Sequence, residues 1–339
     1  MSKLGSQTWE FKNRPCIVGT GTAVGPKEGQ GPLGNLFDIV HDDLYVGQDS
    51  WEKAERYMLE EAVNKAVKKS GIEKNQLDYI FAGDLINQIT PSSFAARSLS
   101  IPYIGIFGAC STSMLGLSLA ALLVDSGYGE YVAAATGSHV STAERQFRYP
   151  TEYGGQKPPT AHCTVTGGGA AIVGKAGNGP VITHATIGKV IDMGVKSPWE
   201  MGAAMAPAAA DTIAAHFKDA DRKPSDYDLI VTGDLARVGH PIAQKLLAEA
   251  GYDCGDRFTD CGILIYDPKQ PEVFSGGSGC ACCAVVSYSY IFQQMLQGKW
   301  KRVLITATGA LLSPLTNMQG ETIPCIAHSV SLEMGGNSQ

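Results

Sequence analysis

Short apolar runs alternate with longer segments of helical spacing along the whole chain. Residues 77–85, 101–107, 131–134, 229–232 and 302–306 are of strand length and mostly apolar. The clearest helical pattern lies between the first of these and the N-terminus. It predicts a helix over 50–70, with Ser50 as its N-cap and Gly71 as its stop. A second helix is predicted over 111–125, where apolar residues are closely spaced. The Pro- and Gly-rich stretches 25–34, 154–159 and 175–180 read as loops. Buried strands alternating with helices predict an α/β fold.

One comparison goes further. Residues 77–85 and 227–235 are both strand-like runs that end in Gly-Asp-Leu, at Gly83-Asp84-Leu85 and Gly233-Asp234-Leu235. A second pair follows in the same order, Ala135-Thr136-Gly137-Ser138 and Ala307-Thr308-Gly309-Ala310. Between the members of each set comes a small-residue turn and a helix. The turn is Gly108-Ala109-Cys110-Ser111-Thr112-Ser113 in the first half and Gly276-Gly277-Ser278-Gly279-Cys280-Ala281-Cys282-Cys283 in the second. Shared order and spacing point to an internal duplication. The expected architecture is two βαβ-rich halves related by a pseudo-twofold, with a site where they meet. The halves are drawn as 1–200, carrying Cys110 and a long loop, and 201–339, with the boundary near 196–207.

Composition narrows the partners. Lys plus Arg number 27 and Asp plus Glu 33, a net charge of −6, so no broad basic surface invites nucleic acid. With 44% hydrophobic and 18% charged residues, the chain reads as packed and globular. Nine scattered cysteines fit thiols in a reducing compartment better than a disulfide framework. Neither a signal peptide nor a membrane span is expected: the N-terminus has no apolar core, and the apolar stretch 114–124 is short and followed by Asp125.

Cys110 leads the candidate residues. It opens the helix 111–125, where free N–H groups and the helix dipole favour a thiolate and any anion placed there. The alternative is a small buried apolar residue. His139 follows a strand end, as a pocket residue or a satisfied loop histidine. Asp84 and Asn87 follow another, as ligand contacts or as a cap and turn, and Asp234 reads the same way. Cys280-Ala281-Cys282-Cys283 lacks ordinary zinc spacing and reads as a helix start, so no metal site is expected. Gly19-x-Gly21-x-x-x-Gly25 misses the dinucleotide fingerprint and reads as a strand-to-loop turn.

Gly108-Ala109-Cys110-Ser111-Thr112-Ser113 ahead of a small-residue helix resembles the nucleophile turn of the thiolase and ketoacyl-synthase superfamily. The likeness runs over essentially the whole chain. It implies a thiolase-like fold, a five-layered α-β-α-β-α sandwich, usually dimerised through an edge strand. More narrowly, residues 20–28, 143–158, 205–212, 276–282 and 323–328 resemble the stage V sporulation protein AD family of spore-forming bacteria. That resemblance implies a protein that binds dipicolinic acid and serves in moving it into the developing spore. It further implies a soluble member of a membrane channel assembly. The place is the cytoplasmic face of the developing spore, at the inner membrane through partner subunits. The expected state is a homodimer without a cofactor, Ca2+ entering only as the dipicolinate chelate.

Condensing enzymes of the superfamily pair the cysteine with a His-His or His-Asn set from the second half. Here the first place reads Gly233-Asp234-Leu235, and the turn 276–279 carries no Asn or His. Gly239-His240-Pro241 imitates a thiolase motif in the wrong context, at a helix start. A nucleophile without its base loses several orders of magnitude in rate. The expected protein is therefore a catalytically silent binder. One carboxylate of dipicolinate would face Cys110, and Arg145 or Arg148, with Phe147 and Tyr149 beside them, would take the other. Asp84 would repel the dianion unless protonated or bridged by Ca2+. Two alternatives remain: an acyltransferase using Cys110 with His139 or His240, and a scaffold for channel partners.

Overall fold

The apolar runs become two sheets, joined edge to edge where Cys16 pairs with Val181, around a shared pair of helices. The computed structural model describes residues 2–147 and 157–335. The principal elements of the first half are β1 (Cys16–Val24), α1 (Trp51–Ser70), β2 (Tyr79–Gly83), α2 (Thr90–Leu99), β3 (Tyr103–Gly105), α3 (Thr112–Ser126), β4 (Tyr131–Ser138), α4 (Val140–Phe147) and β5 (Gly167–Gly174). The second half repeats the series with β6 (Val181–Ile187), α5 (Met201–Asp219), β7 (Leu229–Thr232), α6 (Ala236–Glu249), β8 (Phe258–Asp260), α7 (Cys280–Val286), β9 (Arg302–Ala310), α8 (Pro314–Met318) and β10 (Cys325–Glu333).

Strands run β3-β2-β4-β5-β1 in one half and β8-β7-β9-β10-β6 in the other, the same permutation twice. β5 and β10 are antiparallel to both neighbours, and the outer strands pair in parallel. The matched Gly-Asp-Leu segments close β2 and β7, and the matched Thr-Gly segments close β4 and β9. β6 pairs with β10 over its whole length, so it belongs to the second repeat although it precedes residue 200.

α3 and α7 form the central layer. α3 packs on β2 and β4 of one sheet and on β9 and β10 of the other, while α7 lies against β4, β5 and α3. Such helices must be apolar on every side. α7 is buried throughout, and α3 buries Met114, Leu117, Ala120, Ala121 and Val124. The segment Ala109–Ser126 has the length and composition of a membrane-crossing helix, yet 72% of it is buried inside the fold as a core helix. α1 and α2 cover the first sheet, α5 and α6 the second.

α1 starts and stops where the sequence places it: Ser50 accepts from the Lys53 N–H, and Gly71 turns left-handed at φ 74°. Two local expectations differ. Gly19 and Gly21 lie inside β1 and not in a turn, because α1 presses on them; a Cβ on Gly21 would stand 2.1 Å from Ala62 O. The stretch 25–34 contains a helical turn, Pro26–Gly29, and another begins at Gly34. α5 continues through Pro207, since Met205, Ala208, Ala209 and Ile213 are buried and hold its face in place.

Candidate functional site

Cys110 sits where the halves meet. After β3 the chain turns sharply, Ala109 takes a φ of 48°, and α3 starts behind Ser111. A left-handed alanine is strained and persists only when its surroundings hold it. Ser111 Oγ and Thr112 Oγ1 donate to Gly108 O and Ala109 O at 2.6 and 2.7 Å. From the other half, Cys280 Sγ donates to Ala109 O at 3.0 Å. Gly309 of β9 approaches so closely that a Cβ there would lie 2.4 Å from Gly108 O.

The Cys110 Sγ is buried, 3.8 Å from Ser278 Oγ. Ser278 in turn donates to Asp234 Oδ2 at 2.6 Å. Thr308 Oγ1 donates to Asp234 Oδ1 at 2.5 Å, and the Gly279 N–H reaches Oδ2 at 3.3 Å. Burial pushes the Asp234 carboxyl up to about 6, against the pull of Ser278 and Thr308. Burial first, and then the Asp234 charge, drives the Cys110 thiol well above its ordinary range. The thiolate expected from the helix start is therefore not favoured. A helix terminus contributes about 2 kcal/mol at best, whereas full burial shifts a group by about 3–5 pH units. Desolvation wins.

A cavity of about 130 Å³ opens in front of Cys110, lined from both halves. Phe107, Phe147 and Trp199 form apolar parts of its wall. Its polar side includes Lys157, whose Nζ is 2.6 Å from Glu144 Oε1. His162 also lines it, buried, with neither ring nitrogen hydrogen-bonded among the described residues. Desolvation lowers its pKa to about 4.

With this geometry in view, the chain matches the stage V sporulation protein AD family over residues 5–333. It is 54% identical over 338 residues to stage V sporulation protein AD of Bacillus subtilis (strain 168), covering 100% of both chains. The chain belongs to this family. Among solved structures, 3-oxoacyl-[acyl-carrier-protein] synthase III from Aquifex aeolicus VF5 superposes with a TM-score of 0.58 at 16% identity, covering 94% of this chain and 99% of that one. A variant of OleA from Xanthomonas campestris gives 0.64 at 14% identity, covering 98% and 100%. These two share the thiolase and ketoacyl-synthase-like fold; at such identity the likeness extends to the fold alone.

The residues expected at the site are dispersed in this stage V sporulation protein AD family member. Cys110 lines the cavity. His139 does not: its Nδ1 accepts from the Ser141 N–H at 3.0 Å and its Nε2 meets Leu44 O at 2.8 Å, which locks a loop. Asp84 is occupied by the turn into α2, accepting from the Ile86 N–H, the Ser92 N–H and Ser92 Oγ at 2.8, 2.8 and 2.6 Å. Burial raises it to about 6. Asn87 lines an adjoining groove of about 440 Å³ beside β3, its N–H donating to Gln146 Oε1 at 2.8 Å. Arg145 turns to α1, where it pairs with Glu52 and stands 5.5 Å over the Trp51 ring. Arg148 lies outside the described residues. His240 stacks on Phe258 at 4.6 Å and approaches Phe258 O at 3.3 Å.

Four residues take the places that sequence reasoning left open. Asp234 and Ser278 stand beside the thiol, and Lys157 and His162 supply the cavity's polar wall. Asp234 had a signal, the repeated Gly-Asp-Leu. Lys157 and His162 had none, because they come from a loop without periodicity.

Proposed function

We propose that this sporulation protein binds dipicolinic acid in the cavity between its halves and performs no acyl transfer. The observation that carries the reading is the cavity itself: ring walls, a lysine, and a cysteine that is neutral. Pyridine-2,6-dicarboxylate is flat, with apolar faces and two carboxylates. Phe107, Phe147 and Trp199 suit its faces. Lys157, in place of Arg145, suits a carboxylate. A protonated, buried thiol is a poor nucleophile.

Calorimetric titration with pyridine-2,6-dicarboxylate, with and without Ca2+, tests the reading, with benzoate and phthalate as shape controls. Saturable binding of the 2,6-diacid is expected, and Ca2+ alone is expected to give no heat. Lys157→Ala should weaken binding at least tenfold, about 1.4 kcal/mol, while Arg145→Ala should leave it unchanged. Equal affinity in wild type and Lys157→Ala would reject this assignment of the cation.

The same reading makes the chain the soluble part of a channel assembly, held by membrane subunits at the cytoplasmic face of the spore inner membrane. It also makes the protein a homodimer paired through β3, the edge strand of the first sheet, in which Ile104 is exposed and next to which Phe107 is exposed. Sedimentation should return a dimer; Ile104→Lys should shift it to monomer, and a monomeric wild type would remove this part of the proposal.

A further inference from the structure

We propose that His162 contacts the ligand of this cavity, donating a ring N–H to one carboxylate of an aromatic dicarboxylate and taking up a proton as that ligand enters. The inference rests on the binding reading above and adds to it a residue and a proton. His162 leads into the short strand Cys163–Thr164. The backbone on either side is fixed: the Ser275 N–H donates to Ala161 O at 3.0 Å and the Cys163 N–H to Gly276 O at 2.9 Å. The ring is thereby held in the cavity wall, 7% exposed, with Nε2 3.1 Å from where a Cβ on Gly202 of α5 would stand.

A neutral imidazole carries one donor and one acceptor. Leaving either unpaired in the interior costs about 1–3 kcal/mol. The other buried histidines avoid this. His139, His184, His216 and His328 each have a ring nitrogen in a hydrogen bond. Among them only His162 is left unpaired, and it is the one that lines the cavity. Both ring nitrogens are closed off even to water, with Nε2 against α5, so a partner from the cavity reaches the ring only as it turns toward the entering ligand.

Charge gives the second argument. The ionisable groups on the elements packed around His162 are few. Lys157 and Glu144 are paired at 2.6 Å and balance each other. Cys110 is a neutral thiol, and Asp234 is engaged by Ser278 and Thr308. Arg237 on α6 donates to Ser275 O at 3.3 Å, and Glu200 is exposed at the start of α5. A dianion entering this cavity therefore meets little net positive charge. In the empty protein burial keeps His162 neutral at pH 7. A carboxylate within hydrogen-bond reach favours the imidazolium and raises that pKa. The proton comes from solvent and no bond in the ligand changes. Affinity must then rise as pH falls, by up to tenfold per pH unit.

The test is calorimetric titration of the full chain with pyridine-2,6-dicarboxylate at pH 6, in two buffers of different ionisation enthalpy. Uptake of close to one proton per ligand is expected. His162→Gln keeps an N–H donor but cannot titrate. It should still bind, about tenfold more weakly, with the proton uptake gone. Nitrogen NMR of histidine-labelled wild type gives the same readout without a substitution: one imidazole should become protonated at saturation. Binding without proton uptake, or full uptake in His162→Gln, overturns this inference and leaves the binding reading intact. No saturable binding in the wild type overturns both.

Discussion

Asp234→Ala is expected to destabilise the protein by about 3 kcal/mol at pH 5, and by about 1.4 kcal/mol less at pH 7.5. Removing the carboxylate leaves three buried donors, Ser278 Oγ, Thr308 Oγ1 and the Gly279 N–H, without their acceptor. Each unpaired donor costs about 1–3 kcal/mol, reduced where neighbours re-pair. The pH dependence follows from the carboxyl's raised value of about 6. An unfolded aspartate ionises near 3.9. Between the two values the folded state binds the proton and the unfolded state does not, so the group's protonation stabilises the fold there. That contribution is lost as pH rises through 6. At pH 5, one unit below, it amounts to about 1.4 kcal/mol; at pH 7.5 it is gone. Asp234→Asn should remove the same pH dependence while keeping an acceptor for Ser278 or Thr308. Urea denaturation at the two pH values measures both variants. An Asp234→Ala effect of equal size at both would mean that the carboxyl is not held protonated at pH 5.

The duplication was legible because it is written in backbone requirements. Gly-Asp-Leu closes β2 and β7, and Thr-Gly closes β4 and β9, so the repeat survives where side chains have diverged. The central helix was legible for a related reason: apolar residues packed closely around 111–125 leave no solvent face. Site chemistry was less so. A local rule, that a helix start favours a thiolate, was overridden at Cys110 by burial and by Asp234, which is distant in sequence. Arg145 and Arg148 stood out because two guanidinium groups and two rings lie within six residues. For Arg145, helical phase decides otherwise and turns it to Trp51 and Glu52. His162 is invisible in sequence, since its distinction is the lack of any partner.

Gly309→Ala is expected to lower stability by roughly 3 kcal/mol and to abolish ligand binding, because both surfaces it separates are fixed. The new Cβ would stand 2.4 Å from Gly108 O and 3.1 Å from Ser111 N, both backbone atoms. β9 cannot retreat without breaking its register with β10, in which Gly309 opposes Ile326. The Cys110 turn cannot retreat either. It is tied down by Cys280 Sγ, by Ser111 and Thr112, and by an alanine at 109 already in a left-handed conformation. Any relief must therefore move the cavity floor. Gly116→Ala is the control, on the central helix that follows the Cys110 turn, five residues beyond Ser111. Its Cβ would meet the end of the Ile106 side chain at 3.2 Å, an atom that can yield, and Ala134 Cβ at 3.5 Å, an ordinary van der Waals contact. Adding alanine to a helix interior gains about 0.5–1 kcal/mol, so this variant should be neutral or slightly stabilised. Thermal and urea melts compare the pair, and dipicolinate titration reads the cavity. If Gly309→Ala melts with the wild type, the two halves are not clamped at Cys110, and the cavity owes its shape to something other than their backbone contact.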